Sequence, residues 1–279
     1  MPMLSTTPTR SRKSFAALLT VLLGLSLGAA SGTPPASADH TGAAPGPVHA
    51  GNTFGWYGHG GLIYDETFVG PLASRWKVEG PGVVRNQHGM LTLNTAERGT
   101  VSATLERPGQ AYGRWETRMR SKVAGSRHAD YVVLTELIPA KDIAVRCGEQ
   151  NIALNRYRLG TKALKFYIRT RPDHMYSSQI QRTFGQDQWH TFAVEVTPKR
   201  ISWFVDAHVI TTERRPAALS GVPFQVRFTM QARKGKRMNK ARMQMDWLRY
   251  WSLKAPNEKS TDAPKADHMT YKGACGPQA

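Results

Sequence analysis

Two groups of cationic side chains offer chemistry in this chain. Arg156 and Arg158 lie two positions apart, and Arg233, Lys234, Lys236, Arg237, Lys240 and Arg242 crowd the segment after Met230-Gln231-Ala232. A guanidinium makes paired hydrogen bonds to a carboxylate or a sulfate, so Arg156, Arg158, Arg233 and Lys234 are candidate ligand-binding positions. A solvated basic loop that repels other copies of the chain is the competing interpretation. No His or Cys cluster has transition-metal spacing. The two cysteines, Cys147 and Cys275, allow one intramolecular pairing. It would close a very long loop, for which chain entropy gives roughly 4–5 kcal/mol as an upper figure. Free or intermolecular thiols are the alternative.

The N-terminus sets the compartment. Arg10, Arg12 and Lys13 precede the apolar run FAALLTVLLGLSLG, and Ala36-Ser37-Ala38 offers small residues for cleavage. This order predicts a signal peptide over 1–38, a chain that continues at Asp39, and a secreted or cell-surface protein. The apolar run is too short to span a bilayer comfortably, and no later stretch is apolar enough to do so. Export permits a disulfide. The formal charge of +18, of which the leader holds only three cations, points to polyanionic partners. Outside the cell these are acidic or sulfated polysaccharides and wall polymers rather than nucleic acid. Solubility alone would account for the charge equally well.

The elements that must position these groups read as strands. Phe166 and Ile168 alternate with Lys165, Tyr167 and Arg169; Phe192, Val194 and Val196 alternate with Ala193, Glu195 and Thr197. Trp115, Thr117 and Met119, then Val226, Phe228 and Met230, then Met243, Met245 and Trp247, continue the theme. Period-two alternation between turn signals such as Pro108-Gly109 and Gly221-Val222-Pro223 predicts an all-β, two-sheet antiparallel sandwich. Residues 39–61, rich in Gly, Ala and Pro, read as a linker or loosely held arm. The sandwich covers 62–253, and 254–279 form a C-terminal tail on the domain surface, pinned by Cys275.

Several segments, in order, resemble glycoside hydrolase family 16. They are Tyr64-Asp65-Glu66-Thr67-Phe68, Gly89-Met90-Leu91-Thr92-Leu93 and Tyr112-Gly113-Arg114-Trp115-Glu116-Thr117-Arg118-Met119. Further along come Trp189-His190-Thr191-Phe192-Ala193-Val194-Glu195-Val196-Thr197-Pro198, Ile201-Ser202-Trp203-Phe204-Val205-Asp206 and Met245-Asp246-Trp247-Leu248-Arg249-Tyr250. The resemblance implies a concanavalin A-like jelly roll, a polysaccharide ligand and a monomer. It requires no cofactor, though it suggests a structural calcium held by the Asp246 side chain and the Gly89 carbonyl.

The resemblance also locates a catalytic strand. Retaining members carry Glu-x-Asp-x-x-Glu, whose outer carboxyls must lie about 5–5.5 Å apart across the scissile bond. A bulge of one residue is needed to bring the last position back to the face of the first two. Cys147-Gly148-Glu149-Gln150-Asn151-Ile152-Ala153-Leu154 matches this segment. Glu149 takes the nucleophile position, Asn151 the middle one and Leu154 that of the acid/base; without the bulge, Ala153 would stand there instead. Loss of a positioned general acid typically costs 10²–10⁴-fold, about 3–5 kcal/mol of barrier. Glu136, Asp142 and His174 are the groups that could reach in to replace it. Trp115 and Tyr131 remain as aromatic platforms for sugar, although Trp115, Trp203 and Trp247 equally suit the sandwich core.

These residues favour a glycan-binding protein on a hydrolase scaffold, with weak or absent hydrolysis. The first alternative is an active retaining β-glucanase or galactanase using Glu149 and another acid. The second is a polyuronate lyase, suggested by the abundance of Arg alone.

Overall fold

Among the described residues the alternating segments pair into sixteen strands. The structure, a computed structural model, describes residues 48–140, 150–170 and 173–270. One sheet runs in the order β13 (His208–Glu213), β12 (Ile201–Val205), β11 (His190–Val196), β6 (Gly113–Ala124), β15 (Lys240–Trp251), β4 (Met90–Asn94) and β3 (Val83–Gln87). Strand β1 (Leu62–Thr67) also pairs with β15. The second sheet runs β16 (Asp267–Thr270), β10 (His174–Gln181), β9 (Ala163–Thr170), β8 (Ile152–Arg158), β7 (Val132–Pro139), β14 (Phe224–Gln231), β5 (Val101–Leu105) and β2 (Trp76–Glu79). All these pairings are antiparallel, as expected.

The faces that meet are the apolar sets of the alternation. Trp115, Met119, Phe192, Val194, Trp203, Met243 and Met245 from the first sheet share one core with Val133, Phe166, Ile168, Val226 and Phe228 from the second. Gly113 shows why its segment reads as it does. Its φ is +147°, and a Cβ there would stand 2.3 Å from the Tyr250 ring, so a side chain would neither tolerate the backbone nor fit. Trp247 is buried too, but outside that core, with His49 5.0 Å away.

Residues 48–61 are not a linker. The short helix α1 (Ala50–Thr53), Phe54 and Trp56 close over Ala193, Phe204 and Trp251 on the outer face of the first sheet. Gly and Ala are abundant here because the backbone itself packs: a Cβ on Gly51 would meet the Trp251 ring at 2.8 Å. Buried Glu116 accepts N–H bonds from Ala50 (2.6 Å) and Gly51 (3.0 Å). Residues 254–270 lie on the domain, held by hydrogen bonds to their backbone carbonyls and by strand pairing. Arg114 donates to the Ala255 carbonyl (2.8 Å), Thr212 N–H to that of Pro264 (3.1 Å), and β16 extends the second sheet beside β10. Cys147 and Cys275 both lie outside the described residues. Among the described residues, no helix is long and apolar enough to cross a membrane.

Candidate functional site

In the second sheet, alternate residues leave the core for the outer face. They include Leu134 and Glu136 on β7, Arg227, Thr229 and Gln231 on β14, and Tyr167 and Arg169 on β9. Register sets Glu136 between Arg227 and Ala153, and Ala153 opposite Tyr167. Here opens a cleft of about 420 Å³ lined by these side chains (Ala153 excepted) with Asn151, Ser102, Thr100 and Glu79.

The strand that carries the motif bulges. Thr135 faces Asn155 while Glu136 faces Ala153, so Leu154 is the extra residue. The expected bulge therefore exists, but it turns position 154 the other way. Leu154 is fully buried in the core between the sheets, whereas Ala153 packs with Leu134 and Tyr167 on the cleft side. An apolar side chain at 154 gains from joining the core, and the short Ala153 leaves the cleft floor open. Neither can transfer a proton.

Glu136 is the carboxylate at the centre of the described cleft. It is 3% exposed and saturated with donors. Asn151 Nδ2 and the Tyr167 hydroxyl (2.8 Å) donate to Oε1, and Arg227 donates to Oε2 at 3.0 Å. Burial, and then the charge of Glu136, hold the Tyr167 phenol well above its ordinary range, so it stays a neutral donor. Polar atoms of the lining that are buried without a protein partner include Asn151 Oδ1, Arg169 Nε, Thr229 Oγ1 and Gln231 Oε1. Polar groups left so are costly unless something else completes their bonding.

A family model for glycosyl hydrolases family 16 matches residues 73–249. The chain belongs to that family. Solved structures with this fold include a laminarinase from Flavobacterium sp. UMI-01, at TM-score 0.55 and 12% identity over 68% of this chain and 100% of that one. An endo-beta-1,3-glucanase from Pyrococcus furiosus gives 0.56 and 12% over 68% and 94%. A GlcNAcα1-4Gal-releasing endo-β-galactosidase from Clostridium perfringens gives 0.56 and 12% over 68% and 62%. No curated protein matches the chain.

On this family scaffold the expected site residues separate. Asn151 lines the cleft, while Glu149 and Asp142 lie outside the described residues. Trp115 and Tyr131 are not sugar platforms. Trp115 is 1% exposed, 4.8 Å from the Tyr250 ring, and Tyr131 is 0% exposed, its hydroxyl donating to the carbonyls of Ala96 (2.9 Å) and Gly99 (3.0 Å). Period-two burial took both rings inward. Arg156 and Arg158 line a hollow of about 200 Å³ with Lys165 and Thr161. Arg233 and Lys234 line another of about 410 Å³, which shares Thr100 with the main cleft. His174 lies away from the cleft, stacked on His268 at 5.0 Å.

The calcium positions do not fit a cation. Asp246 Oδ2 accepts a hydrogen bond from Arg118 at 2.6 Å, so a guanidinium already balances the one carboxylate of the expected pair. Among the described residues no group of three His, Cys, Asp or Glu is placed to hold a metal.

Tyr167, Arg169, Thr229 and Gln231 are site residues that sequence reasoning did not assign. The signal was present: Lys165, Tyr167 and Arg169 form the polar half of an alternating strand, and that half faces the cleft.

Proposed function

We propose that this family 16 protein is a secreted, glycan-binding protein with weak or absent hydrolysis. The observation that carries this is the turn of Leu154 into the core. The acid/base position of the matched motif contributes nothing to the cleft, and Glu136, a carboxylate of the described lining, already accepts from Asn151, Tyr167 and Arg227. A retaining mechanism needs one carboxyl to attack and another to protonate the leaving oxygen. A residue with both oxygens engaged by three donors serves to fix the floor of a binding cleft. The unpartnered Asn151, Thr229 and Gln231 atoms supply the hydrogen bonds that a sugar's hydroxyls would complete. The ordered basic, apolar and small-residue segments of 1–38 support export.

Reducing-sugar release from laminarin, mixed-linkage β-glucan and agarose tests the proposal, alongside calorimetric binding to their oligosaccharides. Binding without turnover is the expected result. Sustained wild-type turnover that Glu149→Gln abolishes would replace it with a working hydrolase that recruits another acid.

A further inference from the structure

We infer that the glycan carries an acidic group, a carboxylate or a sulfate, which docks on Arg156 and Arg169 at the β8–β9 side of the cleft. The inference rests on the glycan-binding proposal above.

The fold otherwise pairs its guanidiniums wherever it shields them. Arg107 meets Glu66, Arg114 and Arg200 meet Glu195, and Arg118 meets Asp246. Arg120 and Arg242 meet Asp187, Arg215 meets Glu213, Arg227 meets Glu136 and Arg249 meets Asp65. Among the described residues, Arg156 and Arg169 are the half-buried arginines with no carboxylate partner. The Nε of each is buried and makes no hydrogen bond. Glu136, the carboxylate beside them, is taken by Asn151, Tyr167 and Arg227.

Register sharpens the point. Arg156 stands directly opposite Lys165 across β8 and β9, a like-charge pair that ordinarily weakens a sheet. Arg169 shares that face of β9, its guanidinium carbon 5.0 Å from the Tyr167 ring, and exposed Arg158 extends the strip along β8. Burial lowers the pKa of Arg156, and the charges of Arg169 and Arg158 push the same way, while Tyr167 and Glu136 oppose them. A planar guanidinium meets two oxygens of one acidic group with paired N–H donors, which a hydroxyl cannot match. The same strip lies within the lining of the main cleft through Arg169 and of its neighbouring hollow through Arg156, so one sugar chain can span both.

Calorimetric titration with three oligosaccharides tests this: a hexuronan, a sulfated galactan and a neutral laminarin fragment, each at low and high salt. At least one acidic oligosaccharide is expected to bind about tenfold or more tightly than the neutral one at low salt, with the advantage shrinking as salt rises. Which acidic oligosaccharide wins distinguishes carboxylate from sulfate. The double change Arg156→Gln with Arg169→Gln is expected to erase the advantage, so that acidic and neutral oligosaccharides bind alike. An equal loss of charge elsewhere, Arg85→Gln with Lys254→Gln, is expected to keep it. Should the double variant not fold, Lys165→Gln, on an exposed side chain, gives the same readout with a smaller effect. Neutral binding as tight as acidic, or equal losses in the two charge-reduced proteins, overturns the inference and leaves the glycan-binding proposal standing. Failure of all three oligosaccharides to bind removes both.

Discussion

Asn151, the residue just before β8, donates its side-chain N–H to Glu136 Oε1 on β7. The pair explains the amide in the middle of the matched motif. Glu136 occupies the cleft floor, so a second carboxylate at 151 would face it at hydrogen-bonding distance.

Asn151→Asp, the change that restores the family's middle residue, is therefore expected to destabilise the protein. Two adjacent carboxyls cannot both ionise freely, so one has its folded-state pKa raised above its unfolded value of about 4. Stability is then fully present below about pH 4 and is lost as pH rises through the raised value, by roughly 1–3 kcal/mol at neutrality. Urea unfolding at acid and neutral pH checks it; a loss independent of pH would contradict the coupling.

Leu154→Glu is expected to cost about 3–5 kcal/mol, because it places a carboxyl in the apolar core. Ala153→Glu should cost less, since its side chain leaves toward the cleft. Thermal melts of the two variants rank them. The opposite order would mean that position 154 turns to the cleft.

Glu116 makes stability depend on pH in a second place. Burial raises its folded-state pKa to about 7 from 4.5, although the Gly51 and Ala50 N–H groups oppose the shift. A raised value means that the stability is fully present below 4.5 and is lost as pH climbs through about 7. The loss is on the order of 3 kcal/mol. Glu116→Gln should flatten this part of the stability profile, read by denaturant unfolding between acid and neutral pH.

Trp56 anchors residues 48–61. It is fully buried, donates its indole N–H to Asn257 at 2.7 Å and meets Phe204 and Trp251 edge-on at 5.4 Å. Trp56→Ala is expected to cost about 3–5 kcal/mol. A truly loose arm would lose nothing measurable on the same change.

Much of this was legible in the residues themselves. Alternation is a local property fixed by the two-residue period of a strand, so segments such as Phe166–Arg169 and Phe192–Thr197 declared the sandwich without help. The motif's chemical loss was equally plain, because no fold makes an acid of Leu154 or a carboxylate of Asn151. Direction and partnership were not legible. Whether a bulge sends position 154 outward or inward depends on which of two neighbours the core rewards for burial. The fate of Trp115 and Tyr131 depended on which sheet face each strand turned to the core. Residues 48–61 looked like a linker because Gly and Ala carry no apolar signal, yet small residues are what lets a backbone lie against Trp251 and reach Glu116. Among the many arginines, composition showed only an excess of charge. The tertiary structure brought a carboxylate from a distant strand to most of those it shields and left Arg156 and Arg169 without one, because pairing between residues far apart in sequence is decided by register.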